Sequence, residues 1–341
     1  MNMLESCKIC VNFRRNKTVL IPVLLFALGL VLLIKGGDWF VDGATGVARR
    51  FHIPEIIVGA TVVSIGTTLP EVMVSATSAL QGIGDMAYGN AIGSIICNTS
   101  LIAALTIAIK PAPVDTKALK TPVLFFFGSA AVYCGAAYLL GEFPRWLGFV
   151  LLGIFVVYML STVRQGFKNP AEVHEEEEEE GGKPKTLVQE LGLLVLGAAL
   201  IAWGADLLVD NGTIIAEALG VPDSVIALTF VALGTSLPEL VTAVTSLMKG
   251  HGALSLGNVI GANIFNLVLV SGVSVALSPF TVPQASTLFG YNASLVLDIP
   301  VMLSVMLLLT VPALVRKKLS RPQGIALLCI YAAFCVIQFT M

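Results

Sequence analysis

The sequence predicts an all-α polytopic membrane protein, with about ten transmembrane helices arranged as two inverted five-helix repeats. Three observations carry that expectation. Only 12% of the 341 residues are charged while 56% are apolar, and mean hydropathy is +0.89; a soluble domain is typically about one quarter charged. Apolar runs long enough to cross a bilayer recur along the whole chain. The chain also aligns with itself, without a gap, at a constant shift of 168 residues that lays Gly36 over Gly204. A soluble protein of this length must turn most of its surface to water and could not hide so much apolar side chain. The composition therefore excludes a secreted disulfide scaffold, a disordered chain and a nucleic-acid binder. The net charge of -2 identifies no partner beyond the lipid bilayer.

In chain order, the spans fall at 19–50, 54–80, 86–109, 121–140, 144–163, 187–218, 222–248, 253–277, 289–314 and 322–340. Each holds at least the roughly 20 residues that a helix needs to cross. The first and sixth are longer and are expected to tilt or to continue past the membrane edge. The runs lack the period-2 alternation of a transmembrane barrel, and a helix satisfies its own backbone in lipid. Residues 1–18 are a polar tail without a cleavable signal pattern. The chain then divides into that tail, a first repeat (19–163), a linker (164–186) and a second repeat (187–341). The linker carries six consecutive acids, Glu175 to Glu180, and is expected to be a solvated tether, with a weak Ca²⁺-attracting or regulatory segment as the other possibility.

Lys and Arg concentrate in one set of loops: Arg49 and Arg50, Lys110 to Lys120, Arg164 to Lys185, Lys249, and Arg316 to Arg321. The positive-inside rule makes that set cytoplasmic and puts both termini outside, although the basic residues Lys8 to Lys17 oppose it.

The self-alignment covers "GTTLPE" (66–71) over "GTSLPE" (234–239) and "GNAIGSIICN" (89–98) over "GNVIGANIFN" (257–266). About 25 of about 66 positions match between residues 36 and 101 and their counterparts, the mark of a duplication. Five spans per half is an odd number, so the second half enters from the opposite side. Such inverted repeats are typical of secondary transporters with a site at the midplane.

Each half breaks its apolar pattern twice. Glu71 and Glu239 sit mid-span, where an acid costs at least a few kcal/mol on insertion scales and marks function. Pro70 and Pro238 lack a backbone donor and clash with the carbonyl four residues back. They are expected to kink their helices and free carbonyls near Gly66, Thr67, Gly234 and Thr235. Thr67 and Glu71 share a face, as do Thr235 and Glu239. Two such turns facing each other would make an all-oxygen cage with two negative charges, a donor set for hard cations such as Ca²⁺ and Na⁺. The hydroxyls of Thr67, Thr68, Thr235 and Ser236 could instead bond back to their own helix.

In the second motif the glycines permit close helix approach. Ser94 and Asn98 face one way, their counterparts being Ala262 and Asn266. The amides can add neutral oxygen ligands or serve interhelical bonding alone, and packing is the plainer role for Asn90 and Asn258. Elsewhere, Asp38, Asp42, Asp206 and Asp210 suggest a vestibule or cap. Asp298 reads as a helix-end acid in the ninth span. Cys7 and Cys10 form a lone CxxC, a weak metal or redox signal. Cys97, Cys134, Cys329 and Cys335 read as small buried residues, and Trp39, Trp146 and Trp203 as interface anchors.

The paired motifs, in two inverted copies, resemble the α-repeats of the sodium/calcium exchanger branch of the cation/Ca²⁺ exchanger superfamily, of the bacterial and archaeal type. The resemblance spans residues 19–340. It implies a secondary antiporter, not an enzyme, in which Na⁺ entry drives Ca²⁺ export by alternating access, without an organic cofactor. Glu71 and Glu239 would be the shared carboxylates. Thr67, Thr68, Thr235 and Ser236, with backbone oxygens at Ser64 and Ala232, would complete the sites, and Ser94, Asn98 and Asn266 would face the cluster. Spans one and six would slide as a gate, and a monomer would suffice. The chain departs from the pattern at Asn266, where several members carry Asp, and at Ala262. With about two carboxylates, a Ca²⁺/H⁺ or K⁺-dependent antiporter is the alternative, followed by a passive cation channel.

Overall fold

A computed structural model describes residues 3–168, 185–218, 234–284 and 287–340. Glu175–Glu180, Ala232 and the first part of the seventh span lie outside these residues. The described chain forms ten helices: α1 (Met3–Arg50), α2 (Glu55–Leu80), α3 (Gly84–Ile109), α4 (Thr116–Leu139), α5 (Arg145–Lys168), α6 (Leu187–Ala218), α7 (Leu237–Met248), α8 (Gly252–Leu277), α9 (Ser294–Arg316) and α10 (Arg321–Thr340). Nine of these, all but α7, are long and apolar enough to cross a membrane.

Several boundaries differ from expectation for local reasons. The first helix begins at Met3, so the segment read as a tail continues the first span as helix. α4 begins at Thr116 rather than 121, because Asp115 Oδ1 accepts from the backbone N–H groups of Lys117 (2.8 Å) and Ala118 (3.4 Å), an N-cap. α5 continues past 163 to Lys168. α9 begins at Ser294 rather than 289. Phe289 and Gly290 take positive φ (52° and 83°) and turn a hairpin that pairs Thr287–Leu288 with Tyr291–Asn292. A second short antiparallel pair, Glu142–Phe143 with Phe280–Thr281, clips the α4–α5 turn to the chain leaving α8.

Burial sorts the helices into centre and periphery. The most apolar window of α8 is 83% buried, against 28% for α1, α5 and α6. Ile92, Ile95, Val259, Phe265 and Met302 fill the centre. Leu24, Val31, Leu196 and the three tryptophans stay exposed on the outside, as lipid-facing side chains must. Cys97 is buried, but Cys329 is exposed on α10, whose window is only 17% buried, so the expectation of four buried thiols fails there.

The duplication is visible as a pseudo-two-fold. α1 and α6 cross at glycines: a Cβ on Gly29 would come within 2.8 Å of the Gly204 carbonyl, and one on Gly36 within 2.9 Å of the Gly197 carbonyl. A shift of 168 converts each pair into the other. Equivalent π-turns also occur at Asn98–Ala103 and Asn266–Val270, each opening on the asparagine that ends the second motif. Such turns concentrate at functional sites. At one end, Lys249 in the α7–α8 turn holds Asp42 (2.7 Å) and Asp38 (3.4 Å) of α1, and Arg50 holds Glu190 of α6 (2.7 Å). These aspartates act as end-of-helix ties.

Candidate functional site

The two GT(T/S)LPE turns meet beneath the α1/α6 pair. Gly66, Thr67, Pro70 and Pro238 line one small cavity with Phe40 of α1 and Ala198 and Ile201 of α6. The prolines act differently in the two halves. α2 stays helical through Pro70, whose missing N–H leaves the Gly66 carbonyl without its usual donor. In the second half the chain turns at Thr235 and Ser236 and α7 starts at Leu237, so Pro238 occupies the first turn, where no donor is needed.

Glu71 and Glu239 are both fully buried. Among the described residues, neither carboxylate oxygen of Glu71 has a hydrogen-bond partner. Thr68 Oγ1 of α2 donates to Glu239 Oε1 across the repeats at 3.4 Å, and Oε2 has no partner. Asn98 and Asn266 are fully buried, and among the described residues both amide atoms of each and Ser236 Oγ have no hydrogen-bond partner. Buried polar atoms are almost always bonded, so this concentration of free oxygens is a cradle for a ligand. The donors are carboxylate, amide and hydroxyl, the set that hard cations take. Among the described residues there is no cluster of three or more His, Cys, Asp or Glu.

The remaining hydroxyls are held by symmetric bonds. Thr67 Oγ1 donates to Asn258 Oδ1 at 3.2 Å, and Thr235 Oγ1 donates to Asn90 Oδ1 at 3.4 Å. Ser64 Oγ donates within bonding distance of the Asn258 carbonyl (3.0 Å) and the Gly59 carbonyl (2.7 Å). Asn90 Nδ2 donates to Ser75 Oγ at 2.8 Å and to the Glu71 carbonyl at 3.2 Å. Asn90 and Asn258 thus serve the interhelical bonding expected of them: each ties a motif hydroxyl of one repeat to a helix of the other. The 168 shift converts one of these two bonds into the other, but does not itself pair Thr67 with Asn258 or Thr235 with Asn90. Ser94 is buried but stands apart from these bonds, on the wall of a cavity of about 650 Å³ that also reaches Asn90, Thr235 and Asp298. Asp298 lies near the start of α9, as expected, and accepts from Gln338 at 2.7 Å.

The family model described as "Sodium/calcium exchanger protein" matches residues 21–164 and 190–340. The chain belongs to the sodium/calcium exchanger family. The unmatched stretch between the two blocks contains the acidic run. Sodium/calcium exchanger MaX1 of Methanosarcina acetivorans is 30% identical over 94% of this chain and 99% of its own length. Inner membrane protein YrbG of Escherichia coli is 35% identical over 82% and 87%. Among solved structures, the sodium-calcium exchanger NCX_Mj soaked with Na⁺ and Sr²⁺ superimposes with a TM-score of 0.76 at 35% identity, covering 92% of this chain and 98% of that one. The exchanger is therefore a helical, multi-pass membrane antiporter of this family, built as two repeats.

Proposed function

We propose that this exchanger moves Ca²⁺ across the membrane against Na⁺ by alternating access, with both ions bound between Glu71 and Glu239. The observation that carries the proposal is the pair of fully buried carboxylates with three unpartnered oxygens between them. The amides of Asn98 and Asn266 and the Ser236 hydroxyl are also buried and unbonded among the described residues, and we assign them to the same cluster. Two negative charges balance one Ca²⁺, and the same oxygens can receive Na⁺ in its place. Thr67, Thr68, Thr235 and the Ser64 carbonyl complete the oxygen shell, and Ala232 supplies the second-half carbonyl. Ser94 lies on the approach.

The α1/α6 pair serves as the gate. Its helices touch backbone to backbone at four glycines, so they move as one body, and Phe40 seals the motif turns: a Cβ on Gly66 would lie 3.1 Å from its ring. The basic loops and the linker 164–186 face the cytoplasm and the termini the outside. The repeats comprise 19–163 and 187–341, and one chain holds a complete site.

Asn at both 98 and 266 favours one second reading, a Ca²⁺ antiporter driven by H⁺ or assisted by K⁺, because the site has fewer fixed charges to balance several Na⁺. Reconstitution into vesicles separates the two. Ca²⁺ efflux is measured under separately imposed Na⁺, K⁺ and H⁺ gradients. The proposal expects efflux to follow the Na⁺ gradient; efflux that ignores Na⁺ and follows pH would sink it.

A further inference from the structure

We infer that Thr242 and Ser246 of α7 line the route by which the cation leaves the site toward the membrane face that bears Lys249, a route shut in this structure. The inference rests on the exchange reading above and assigns residues outside the ion cage. Positions 239, 242 and 246 follow i, i+3, i+7 spacing and share one stripe of the helix. All three side chains have zero exposure. Glu239 Oε2, Thr242 Oγ1 and Ser246 Oγ have no hydrogen-bond partner among the described residues.

Helical geometry does not impose that state. Thr45, Thr61, Ser100, Ser274 and Thr310 each bond the carbonyl four residues back, the ordinary way for a hydroxyl in a helix. A buried hydroxyl left unbonded is a standing cost. Polar side chains kept inside a membrane bundle mark ion paths. A stripe of unbonded oxygens that begins at a site carboxylate and ends one turn from Lys249 is what a passage requires when it opens.

The repeat supplies an independent observation. Under the 168 shift Thr242 corresponds to Val74, and Val74 lines the cavity of about 650 Å³ that reaches Asn90, Ser94 and Thr235. The first-half stripe thus borders open space at Val74, whereas its counterpart Thr242 is fully buried. The glycines of the second motif show the same asymmetry: Gly89 and Gly93 have nothing within 4 Å of an added Cβ, whereas their counterparts on α8 pack closely on α2. A Cβ on Gly257 would fall 2.2 Å from the Ile56 carbonyl, and one on Gly261 would fall 2.3 Å from Ser64 Oγ. When the α1/α6 gate moves and the two halves exchange roles, water reaches the stripe, and the two hydroxyls offer oxygens to a cation leaving Glu239.

The test is the double variant Thr242→Val with Ser246→Ala, which removes both hydroxyls and little volume. Equilibrium Ca²⁺ affinity should stay within twofold of the parent and melting temperature should not fall, while maximal Na⁺-driven Ca²⁺ exchange drops tenfold or more. An unchanged maximal rate would overturn the inference, because hydroxyls that merely pack would give that result. Affinity falling in step with rate would also overturn it, since the hydroxyls would then belong to the cage. A second measurement uses Ser246→Cys with a membrane-impermeant thiol reagent, the parent giving the background from its own cysteines. Labelling from the Lys249 face during turnover is expected, and its absence under every ion condition would count against the route. A parent protein without Na⁺-driven flux would refute the exchange reading, while the labelling still reports separately on the route.

Discussion

Replacing Glu239 with Gln removes one charge at nearly constant shape, and the structure sets the size of the effect. Glu239 is fully buried; Oε1 accepts one bond of 3.4 Å from Thr68 and Oε2 accepts none. A carboxylate offers about four acceptor sites, so the protein supplies almost none of the compensation its charge needs. A bound cation, or a proton taken up in its place, must supply it. Removing one partner of a buried charge pair costs about 3–5 kcal/mol, and each 1.4 kcal/mol is tenfold, so the Kd for Ca²⁺ should rise roughly 100- to 4,000-fold. The ion-free protein should respond in the opposite direction: with one partnerless buried charge fewer, its melting temperature should hold or rise. Equilibrium Ca²⁺ binding on purified protein, together with melting curves with and without Ca²⁺, reads both effects. Saturating Ca²⁺ at 100 times Kd stabilises a binding protein by about 2.7 kcal/mol, and the variant should lose that shift at the same concentration. A Kd within tenfold of the parent, or a retained Ca²⁺-dependent shift, would refute the reasoning.

Three further outcomes follow from particular contacts. Asn258→Ala takes the side-chain acceptor from Thr67, while Ser64 keeps its bonds to the Gly59 and residue-258 backbone carbonyls; the stranded Thr67 hydroxyl costs about 1–3 kcal/mol, read as a roughly tenfold weaker Ca²⁺ affinity in equilibrium binding. Gly261→Ala places a Cβ 2.6 Å from Ala60 Cα and 2.7 Å from its carbonyl; overpacking of that kind costs about 1–3 kcal/mol and should lower the melting temperature of the ion-free protein. Lys249→Met breaks the ties to Asp38 and Asp42, which are partly exposed. Stability should change by less than about 1 kcal/mol, while the exchange rate should lose part of its dependence on ionic strength, measured as flux against added inert salt.

The helices and the centre of the site were legible because both are local patterns: apolar length announces a span, and an acid inside one announces function. The repeat then paired Glu71 with Glu239 and Asn98 with Asn266 before any coordinates. What stayed hidden was set by tertiary partners. The bonds from Thr67 to Asn258 and from Thr235 to Asn90 cross between repeats, and no spacing rule within one helix shows them. Thr242 and Ser246 carry no mark in the sequence; only the structure shows that they lack the usual back-bonds. The starts of α4 and α9 shifted because a capping aspartate and a positive-φ hairpin outrank hydropathy at a span's edge. Cys329 is apolar by company but faces outward, a distinction composition does not make.

The reciprocal glycines of α1 and α6 have an evolutionary consequence. A contact in which Gly29 meets Gly204 while Gly36 meets Gly197 is isologous, the form a two-fold homodimer makes with itself. In such a dimer every substitution strikes twice, once in each copy. Fusion into one chain lifts that restriction, so each half can mutate alone. The motifs carry the record: Ser94 faces Ala262 and Thr68 faces Ser236 at equivalent positions, whereas Asn90 and Asn258 stay matched. An interface with the form of self-recognition has become a place where each half can be tuned independently.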